Sequence, residues 1–256
     1  MMKFVSIFFL VGSCGLVEGM IKEYIYYPGA TDWYNAQRIC REHHTDLATI
    51  STAEEQQRLV ESFNFSSGPA WIGLYTESVN SAWQWSHGEP VSFLPWYPDY
   101  PDNINYIYIH NRKTYDRYKT CAFLEQEQWK NDFCWVGYPY YCYRYLILVN
   151  ESKTWEEALR YCTTKYTGLA SLPYATQVLQ AKTELALTQT ESVWTGLRFM
   201  DGNWFWLSGE QTQSLDLLPS CPAHPYRCGA LNNNTNIWEN RDCNENLNFL
   251  CYWNIM

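Results

Sequence analysis

A positive charge balance is the first feature that this sequence lacks. Its 18 Lys and Arg residues are outnumbered by 27 Asp and Glu residues, which gives a formal net charge of -9. Proteins that bind nucleic acids or anionic membranes concentrate basic residues on one surface, because phosphate groups repel an acidic protein. No run of like charges provides such a surface here. We therefore expect no nucleic-acid partner.

Long hydrophobic runs are also absent beyond the N-terminus. Lys3 precedes an apolar stretch over residues 4–17, with small-residue exits at residues 13–15 or 17–19, a pattern typical of a secretory signal peptide. This stretch is short and interrupted by Gly and Ser, and no later segment has enough consecutive apolar residues for a membrane span. We interpret residues 1–19 as a signal peptide and expect an extracellular, secreted protein.

The sequence contains few histidines and no recognisable catalytic constellation. The five histidines are His43, His44, His87, His110 and His224. None lies in a nucleophile elbow, in a His-Glu-x-x-His helix or at zinc-like spacing from cysteines. The carboxylate pairs at residues 54–55 and 156–157 lie in the first turns of predicted helices, where the helix dipole favours them. We therefore expect that the protein is not an enzyme.

Cysteine, in contrast, is abundant. Of the ten cysteines, Cys14 lies in the predicted signal peptide, so nine remain in an oxidising compartment and one of them has no partner in the chain. Three glycosylation sequons fit the same compartment, at Asn64, Asn150 and Asn233. The 13 Trp and 21 Tyr residues can serve a packed core or a binding surface.

The sequence repeats itself. Residues 45–50 match residues 167–172, residues 71–74 match 194–197, and residues 83–86 match 204–207, at offsets of 121 to 123. Cys121, Cys134 and Cys142 match Cys228, Cys243 and Cys251 in the same order. We interpret the chain as two tandem copies, domain 1 over residues 20–143 and domain 2 over residues 144–256. No linker separates them, so the two domains should abut.

Each copy opens with a strand-like segment, at residues 23–27 and 145–149, and a helix follows. In domain 2, Thr154 and Glu157 form a capping box that starts this helix. In domain 1, Thr31 or Asp32 can cap the corresponding helix.

A second helix and a run of strands complete each copy. In domain 1, Ser51 and Glu54 form a further capping box, which predicts a helix that ends near Phe63. Short Trp-rich strands follow, separated by Gly, Pro, Asn and Ser. This order predicts an α+β fold. The repeated framework tryptophans are expected in the core: Trp71, Trp85, Trp194 and Trp206.

These motifs resemble the C-type lectin-like domain family, in two tandem copies. In the first copy the resemblance rests on Cys40, residues 71–74 and 83–85, Cys121, Trp129, Cys134 and Cys142, each with a match in the second. Spacing alone leaves three connectivities for each set of four cysteines. The resemblance implies the pairs Cys40–Cys142, Cys121–Cys134, Cys162–Cys251 and Cys228–Cys243, which leaves Cys221 unpaired. It also implies two helices, short antiparallel strands, long loops and two disulfides in each domain.

Sugar-binding members of this family use Ca²⁺, held by a Glu-Pro-Asn or Gln-Pro-Asp loop motif and by a Trp-Asn-Asp motif. In domain 1 the loop motif falls on residues 100–103, where Tyr100 replaces the first ligand, and Lys130 follows Trp129. A phenol is a poor Ca²⁺ ligand and an ammonium repels the ion. In domain 2 the loop motif falls on residues 221–223, so calcium is not expected there. We expect no cofactor. The alternative is a calcium-dependent lectin with a degenerate site in domain 1, whose weak candidate ligands are Asp102, Asn103, Asn131 and Asp132.

Domain 1 carries an insertion on this loop. Pro101 and Cys121 are 20 positions apart, whereas Pro222 and Cys228 are six apart. The insertion is rich in Tyr and Arg, which interface hot spots favour. We predict that this surface binds a glycan, a glycoprotein or another protein, through Tyr100, Asp102, Asn103, Tyr106, Tyr108, Arg112 and Arg117. The alternative is an ordinary loop whose tyrosines cover the core.

Cys221 lies at a predicted loop tip between two prolines. One interpretation is an intermolecular disulfide that joins two copies into a homodimer, and a third reading of the chain is a structural or inhibitory dimer of this kind. A free or capped thiol, or exchange with Cys228, explains the odd cysteine equally well.

Overall fold

The computed structural model describes residues 19–63, 68–78, 80–102, 105–110, 113–118, 120–210 and 218–255, with the backbone alone at 19, 105–110 and 113–118. The helices are α1 (Trp33–His43), α2 (Ala53–Ser62), α3 (Trp155–Lys165) and α4 (Ala175–Leu185). The strands of domain 1 are β1 (Gly19–Thr31), β2 (Asp46–Leu47), β3 (Ala70–Tyr75), β4 (Gln84–Trp85), β5 (Asn105–His110), β6 (Lys113–Tyr118), β7 (Cys121–Glu125) and β8 (Gln128–Asp132). Strand β9 (Tyr138–Lys153) is followed in domain 2 by β10 (Gly168–Leu169), β11 (Ser192–Met200), β12 (Asn203–Trp206), β13 (Cys228–Asn232), β14 (Trp238–Arg241) and β15 (Leu247–Trp253). The predicted α+β class, with two helices in each copy, is confirmed. None of the helices in the described part is long and apolar enough to cross a membrane.

Helices α1, α2 and α3 begin at side-chain caps. Asp32 caps α1 by accepting a hydrogen bond from the Asn35 N–H, and the Thr154–Glu157 capping box of α3 is present as predicted. The predicted cap of α2 was wrong by one residue. Thr52 is the cap and accepts from the Glu55 N–H, because the chain becomes helical only at Ala53.

The Trp-x-Gly-Leu motif has the same role in both domains. A Cβ atom at Gly73 would lie 2.9 Å from the Leu47 carbonyl oxygen, and one at Gly196 would lie 2.9 Å from the Leu169 carbonyl oxygen. Only glycine permits this close approach of the backbones without displacing a strand. The prediction that the framework tryptophans pack in the core is confirmed: Trp71, Trp85, Trp194 and Trp206 are 0%, 2%, 0% and 3% exposed.

Four disulfide bonds brace the described chain, in the pairing that the resemblance implies. Cys40–Cys142 and Cys162–Cys251 span 102 and 89 residues. Cys121–Cys134 and Cys228–Cys243 span 13 and 15 residues. In each domain, the long-range bond ties the first helix to the last strand, and the short bond closes the segment that carries the loop site.

The two domains share one long strand. The first part of β9 is the last strand of domain 1, and its second part is the first strand of domain 2. Strand β1 pairs antiparallel with β9 from Tyr138 to Leu148, and β15 pairs with its end from Tyr145 to Lys153. Thirteen strands therefore join in one sheet that runs through both domains, and the predicted boundary at 143/144 falls inside β9.

Buried polar contacts reinforce this junction. Gln180 of α4 accepts a hydrogen bond from the Tyr24 N–H at 2.7 Å and donates to the Tyr24 carbonyl at 2.9 Å. The buried guanidinium of Arg144 pairs with the buried carboxylate of Glu23 and donates to the Ser171 carbonyl at 2.7 Å. These bonds satisfy groups that would be costly to bury alone. They fix α4 of domain 2 against β1 of domain 1.

Candidate functional site

A buried amide of β8, that of Asn131, helps to attach the long loop of domain 1. Asn131 is 2% exposed. Its Oδ1 accepts from the Asp102 N–H at 2.8 Å, and its Nδ2 donates to the Asp102 carbonyl at 2.8 Å. The structure thus brings together Asp102 and Asn131, two of the predicted candidate ligands. The Asn131 side chain faces the loop backbone rather than an open ligand position.

Lys130 lies beside this contact. Its Nζ donates to Glu125 Oε2 at 2.7 Å and lies 4.8 Å from the centroid of the Tyr97 ring and 5.9 Å from that of the Tyr100 ring. The hydrogen bond to Glu125 raises the pKa of the Lys130 ammonium above its ordinary value. An ammonium between a carboxylate and two aromatic faces is held by ion pairing and by cation–π attraction.

Asp132, the remaining described candidate ligand, is also engaged. Its Oδ1 accepts from the Phe133 N–H at 2.8 Å, and its Oδ2 accepts from the Tyr138 hydroxyl at 2.8 Å. Burial and the bond to Asp132 raise the pKa of Tyr138. Asp132 therefore links the end of its own hairpin to the last strand of domain 1 by hydrogen bonds.

The described residues of this loop do not fit a calcium ion. Calcium takes six to eight oxygen ligands, mostly carboxylates and carbonyls. Here Asn131 and Asp132 already accept hydrogen bonds, Tyr100 offers a neutral phenol, and the position after Trp129 carries a positive charge. Within the described ranges, no three His, Cys, Asp or Glu side chains gather as a metal-binding group. Asn103, the fourth candidate, lies outside them.

The matching site of domain 2 has the opposite charge. Trp238 and Glu239 in β14 stand where domain 1 has Trp129 and Lys130 in β8. The Glu239 carboxylate accepts from the Ser192 hydroxyl at 2.7 Å and from Asn232 Nδ2 at 3.1 Å. It also pairs with Arg241 at 3.2 Å. This site too is filled by the protein's own side chains.

The tyrosine- and arginine-rich insertion contains a β-hairpin. Strands β5 and β6 form a separate two-stranded antiparallel sheet. Their register sets Tyr106 opposite Arg117, and Tyr108 opposite Tyr115. The backbone therefore brings three of the predicted ligand-binding positions to neighbouring places on one ribbon. Arg112 lies outside the described residues.

The remaining predicted sites are scattered over the surface. Cys221 is exposed and is not part of a disulfide. Asn150 and Asn233 are half-buried, at the end of β9 and just after β13. Asn64 lies outside the described residues. Glycosylation and dimer formation stay predictions.

Lys130 and its contacts Glu125, Tyr97 and Tyr100 are called here the Lys130 cluster. The sequence did not indicate two of these residues, Glu125 and Tyr97. Glu125 could have been found, because a hairpin closed by Cys121 and Cys134 brings Glu125 of one strand near Lys130 of the other. Tyr97 gave no such signal. Its approach depends on the loop, whose backbone is held by hydrogen bonds such as that from the Tyr97 N–H to the Trp129 carbonyl at 2.9 Å.

Comparison with known proteins places these features in a family. A family model for the lectin C-type domain matches residues 30–144 and again residues 151–253. C-type mannose receptor 2 of Rattus norvegicus is 24% identical over 260 residues, which cover 88% of this chain and 17% of that protein. The secretory phospholipase A2 receptor of Oryctolagus cuniculus is 24% identical over 281 residues, which cover 94% of this chain and 19% of that protein. The chain thus spans less than a fifth of the length of these two relatives.

Solved structures align with about half of this chain. The carbohydrate-recognition domain of the mouse scavenger receptor C-type lectin aligns with 48% of this chain and 87% of its own, at 24% identity and a TM-score of 0.40. The two family-model matches together cover most of the chain. The chain therefore belongs to the lectin C-type domain family and carries two copies of that domain.

Proposed function

We propose that this protein is a secreted, non-enzymatic recognition protein that binds its ligand through the long loop of domain 1 without calcium. The ligand is a protein, a glycoprotein or a glycan. The observation that carries the proposal is the Lys130 cluster. An ammonium held at 2.7 Å from Glu125 supplies a positive charge at the position where sugar-binding relatives present a calcium ligand.

Electrostatics and the donor set both support independence from calcium. A divalent cation placed beside Lys130 would be repelled at short range. Asn131 would have to release the Asp102 backbone before its oxygen could reach a metal, and this would leave buried backbone groups unpaired. The loop is therefore ordered by contacts within the chain.

The hairpin of β5 and β6 supports the choice of the ligand surface. Tyrosine and arginine in register across a ribbon suit a contact surface, because both residues supply large contact areas and hydrogen bonds. Two relatives are named as receptors, one for mannose and one for a secretory phospholipase A2. Their names are consistent with either a saccharide or a protein as the ligand.

The calcium question is tested by binding to a glycan array and to a panel of extracellular glycoproteins, with Ca²⁺ and with EDTA. We expect binding that is unchanged by EDTA and reduced when Arg112 and Arg117 are both replaced by alanine. Arg160→Ala, an exposed arginine on α3, is the matched control and should bind as the wild type does. Binding to mannose-type glycans that requires Ca²⁺ would instead establish the degenerate calcium-dependent lectin.

Secretion and dimer formation have direct tests. Expression in a secretory cell line should yield a mature N-terminus near residue 20, read by Edman sequencing or mass spectrometry. The exposed thiol of Cys221 is accessible to a second copy. Non-reducing electrophoresis should show a dimer that Cys221→Ser abolishes, and monomer alone in both proteins would contradict the intermolecular disulfide.

A further inference from the structure

Three neighbouring cavities lie along α4, and two of them are lined by residues of both domains. Cavities of about 550 and 560 Å³ share Tyr26 and Phe63 of domain 1 and Ala175 and Thr176 of α4. A third cavity, of about 420 Å³, is lined by residues of domain 2 alone and shares Ala175 with both. We call the three together the junction groove. It has no described residue in common with the long loop or the hairpin.

The rim of the junction groove exposes large apolar side chains to water. Leu179 is 45% exposed and Tyr174 is 39% exposed. Ala175 and Leu179 are four residues apart on α4, so they lie on the same face of the helix. Across the groove, the rings of Tyr26, Phe63 and Tyr141 pack together with centroids 5.1 to 6.1 Å apart. A continuous apolar surface of this kind, bounded by polar residues, marks an interaction site.

The base of the groove is rigid. Gln180, on the opposite face of α4, is hydrogen-bonded through both amide atoms to the Tyr24 backbone. Beneath it, β1 pairs with β9 in continuous register from Gly19 to Tyr27, and the register shifts only between Tyr27 and Thr31. A ligand therefore meets a preformed groove, and little binding energy is lost in ordering it.

The charges that face the groove are mostly negative. Glu61 lines one of the two larger cavities and Glu210 lines the other, and neither has Lys or Arg among its described lining residues. Glu210 lies 3.8 Å from Arg144, but that guanidinium already pairs with Glu23. One positive charge between two carboxylates leaves this end net negative. Lys182 lines only the third cavity.

This chemistry selects the occupant. Sulfated and sialylated glycans are disfavoured, because their negative charge would face Glu61 and Glu210. Leu179 and Ala175 present an aliphatic surface that forms no hydrogen bond with a sugar hydroxyl, whereas aliphatic and aromatic side chains of a polypeptide pack against it. We propose that the junction groove binds an extended segment of a partner protein, with apolar side chains packed against the Ala175–Leu179 face of α4 and a Lys or Arg beside the carboxylates.

The test begins with a peptide library displayed on phage and selected against the full chain. We expect enriched sequences that combine aromatic or aliphatic residues with Lys or Arg. One enriched peptide, synthesised with a fluorophore, is then titrated with wild-type and variant proteins by fluorescence anisotropy. Leu179→Arg should weaken its binding about tenfold or more, as loss of an interface anchor does. Glu61→Gln should weaken it less and should reduce its dependence on salt.

Leu187→Arg is the matched control. Leu187 is 60% exposed just beyond α4 and lines none of the three cavities, so this variant should bind the peptide as the wild type does. Equal melting temperatures for the two arginine variants will show that both are folded. The proposal is overturned if no such peptide is enriched, or if Leu179→Arg binds the peptide unchanged. If the Leu179→Arg variant lost binding to a glycan but kept its binding to the peptide, a polypeptide occupant would also be excluded.

Discussion

Domains 1 and 2 share framework hydrogen bonds at equivalent positions but differ at the loop. Trp33 of α1 donates its indole N–H to the Ile72 carbonyl at 2.8 Å, and Trp155 of α3 donates to the Thr195 carbonyl at 2.9 Å. At the position after the β-hairpin tryptophan, however, domain 1 has Lys130 and domain 2 has Glu239. The framework is fixed by sterics and buried hydrogen bonds, which admit few alternatives. The side chain at the loop position needs only a neighbouring side chain of opposite charge.

Removing a long-range disulfide should have the largest effect on stability in either domain. Replacement of Cys40 and Cys142 by serine is expected to lower the free energy of unfolding by about 4–5 kcal/mol, and replacement of Cys162 and Cys251 by nearly as much, because each bond closes a loop of about a hundred residues. The short pair Cys121–Cys134 should cost about 3 kcal/mol. Denaturant unfolding followed by tryptophan fluorescence measures all three.

The shared strand makes this experiment informative about both domains. Because β9 pairs with β1 on one side and with β15 on the other, loss of either long disulfide should lower the melting temperature of the whole chain in one transition. Two separate transitions, with the untouched domain melting as in the wild type, would show that the domains fold independently.

Acid should affect domain 1 through His44, which has no titrating counterpart in domain 2. His44 ends α1, where Tyr166 ends α3. Burial, reinforced by Arg144 and His43, lowers the pKa of His44 to about 3. The unfolded chain takes up this proton near pH 6.5, so the free energy of unfolding should fall by about 1.4 kcal/mol per pH unit between pH 6.5 and 3. Above pH 6.5 the effect vanishes.

A glutamine variant isolates this histidine from the other titrating groups. His44→Gln keeps a hydrogen-bonding side chain near the Tyr27 hydroxyl, which lies 2.8 Å from His44 Nε2. Between pH 4 and 7, the melting temperature of this variant should change less with pH than that of the wild type. The same pH dependence of the melting temperature in both proteins would contradict a buried neutral His44.

The glycine of the Trp-x-Gly-Leu motif gives a smaller effect that should be equal in the two domains. Gly73→Ala and Gly196→Ala each place a Cβ 2.9 Å from a carbonyl oxygen, and each should cost about 1–3 kcal/mol as a strand shifts to relieve the contact. Gly29→Ala, with no atom within 4 Å of the added Cβ, is the control. A neutral result at either motif glycine would refute the close approach.

Local patterns predicted the features that depend on short segments, and the resemblance supplied the disulfide pairing. The Thr154–Glu157 capping box could be read directly, because its partners are three residues apart. The junction could not. Tyr24 and Gln180 are 156 residues apart, and nothing in either segment indicates that an amide meets a strand backbone there. The strand-like segments predicted at 23–27 and 145–149 were also too short at both ends, because β9 pairs with β1 along its first part and with β15 along its last part.

The loop position offers the finest test, because its effect on overall stability is small. Lys130→Ala removes a partly exposed ion pair with Glu125, and Glu239→Ala removes one with Arg241, so each should lower the free energy of unfolding by about 1 kcal/mol or less. The two variants should differ in local opening. Lys130 contacts Tyr97 and Tyr100 of the loop, whereas Glu239 contacts residues of the strands β11, β13 and β14. Limited proteolysis should therefore cut residues 97–102 faster in Lys130→Ala and leave them unchanged in Glu239→Ala. If Ca²⁺ slowed that cutting in the wild type, the ammonium would not be the cation that orders the loop.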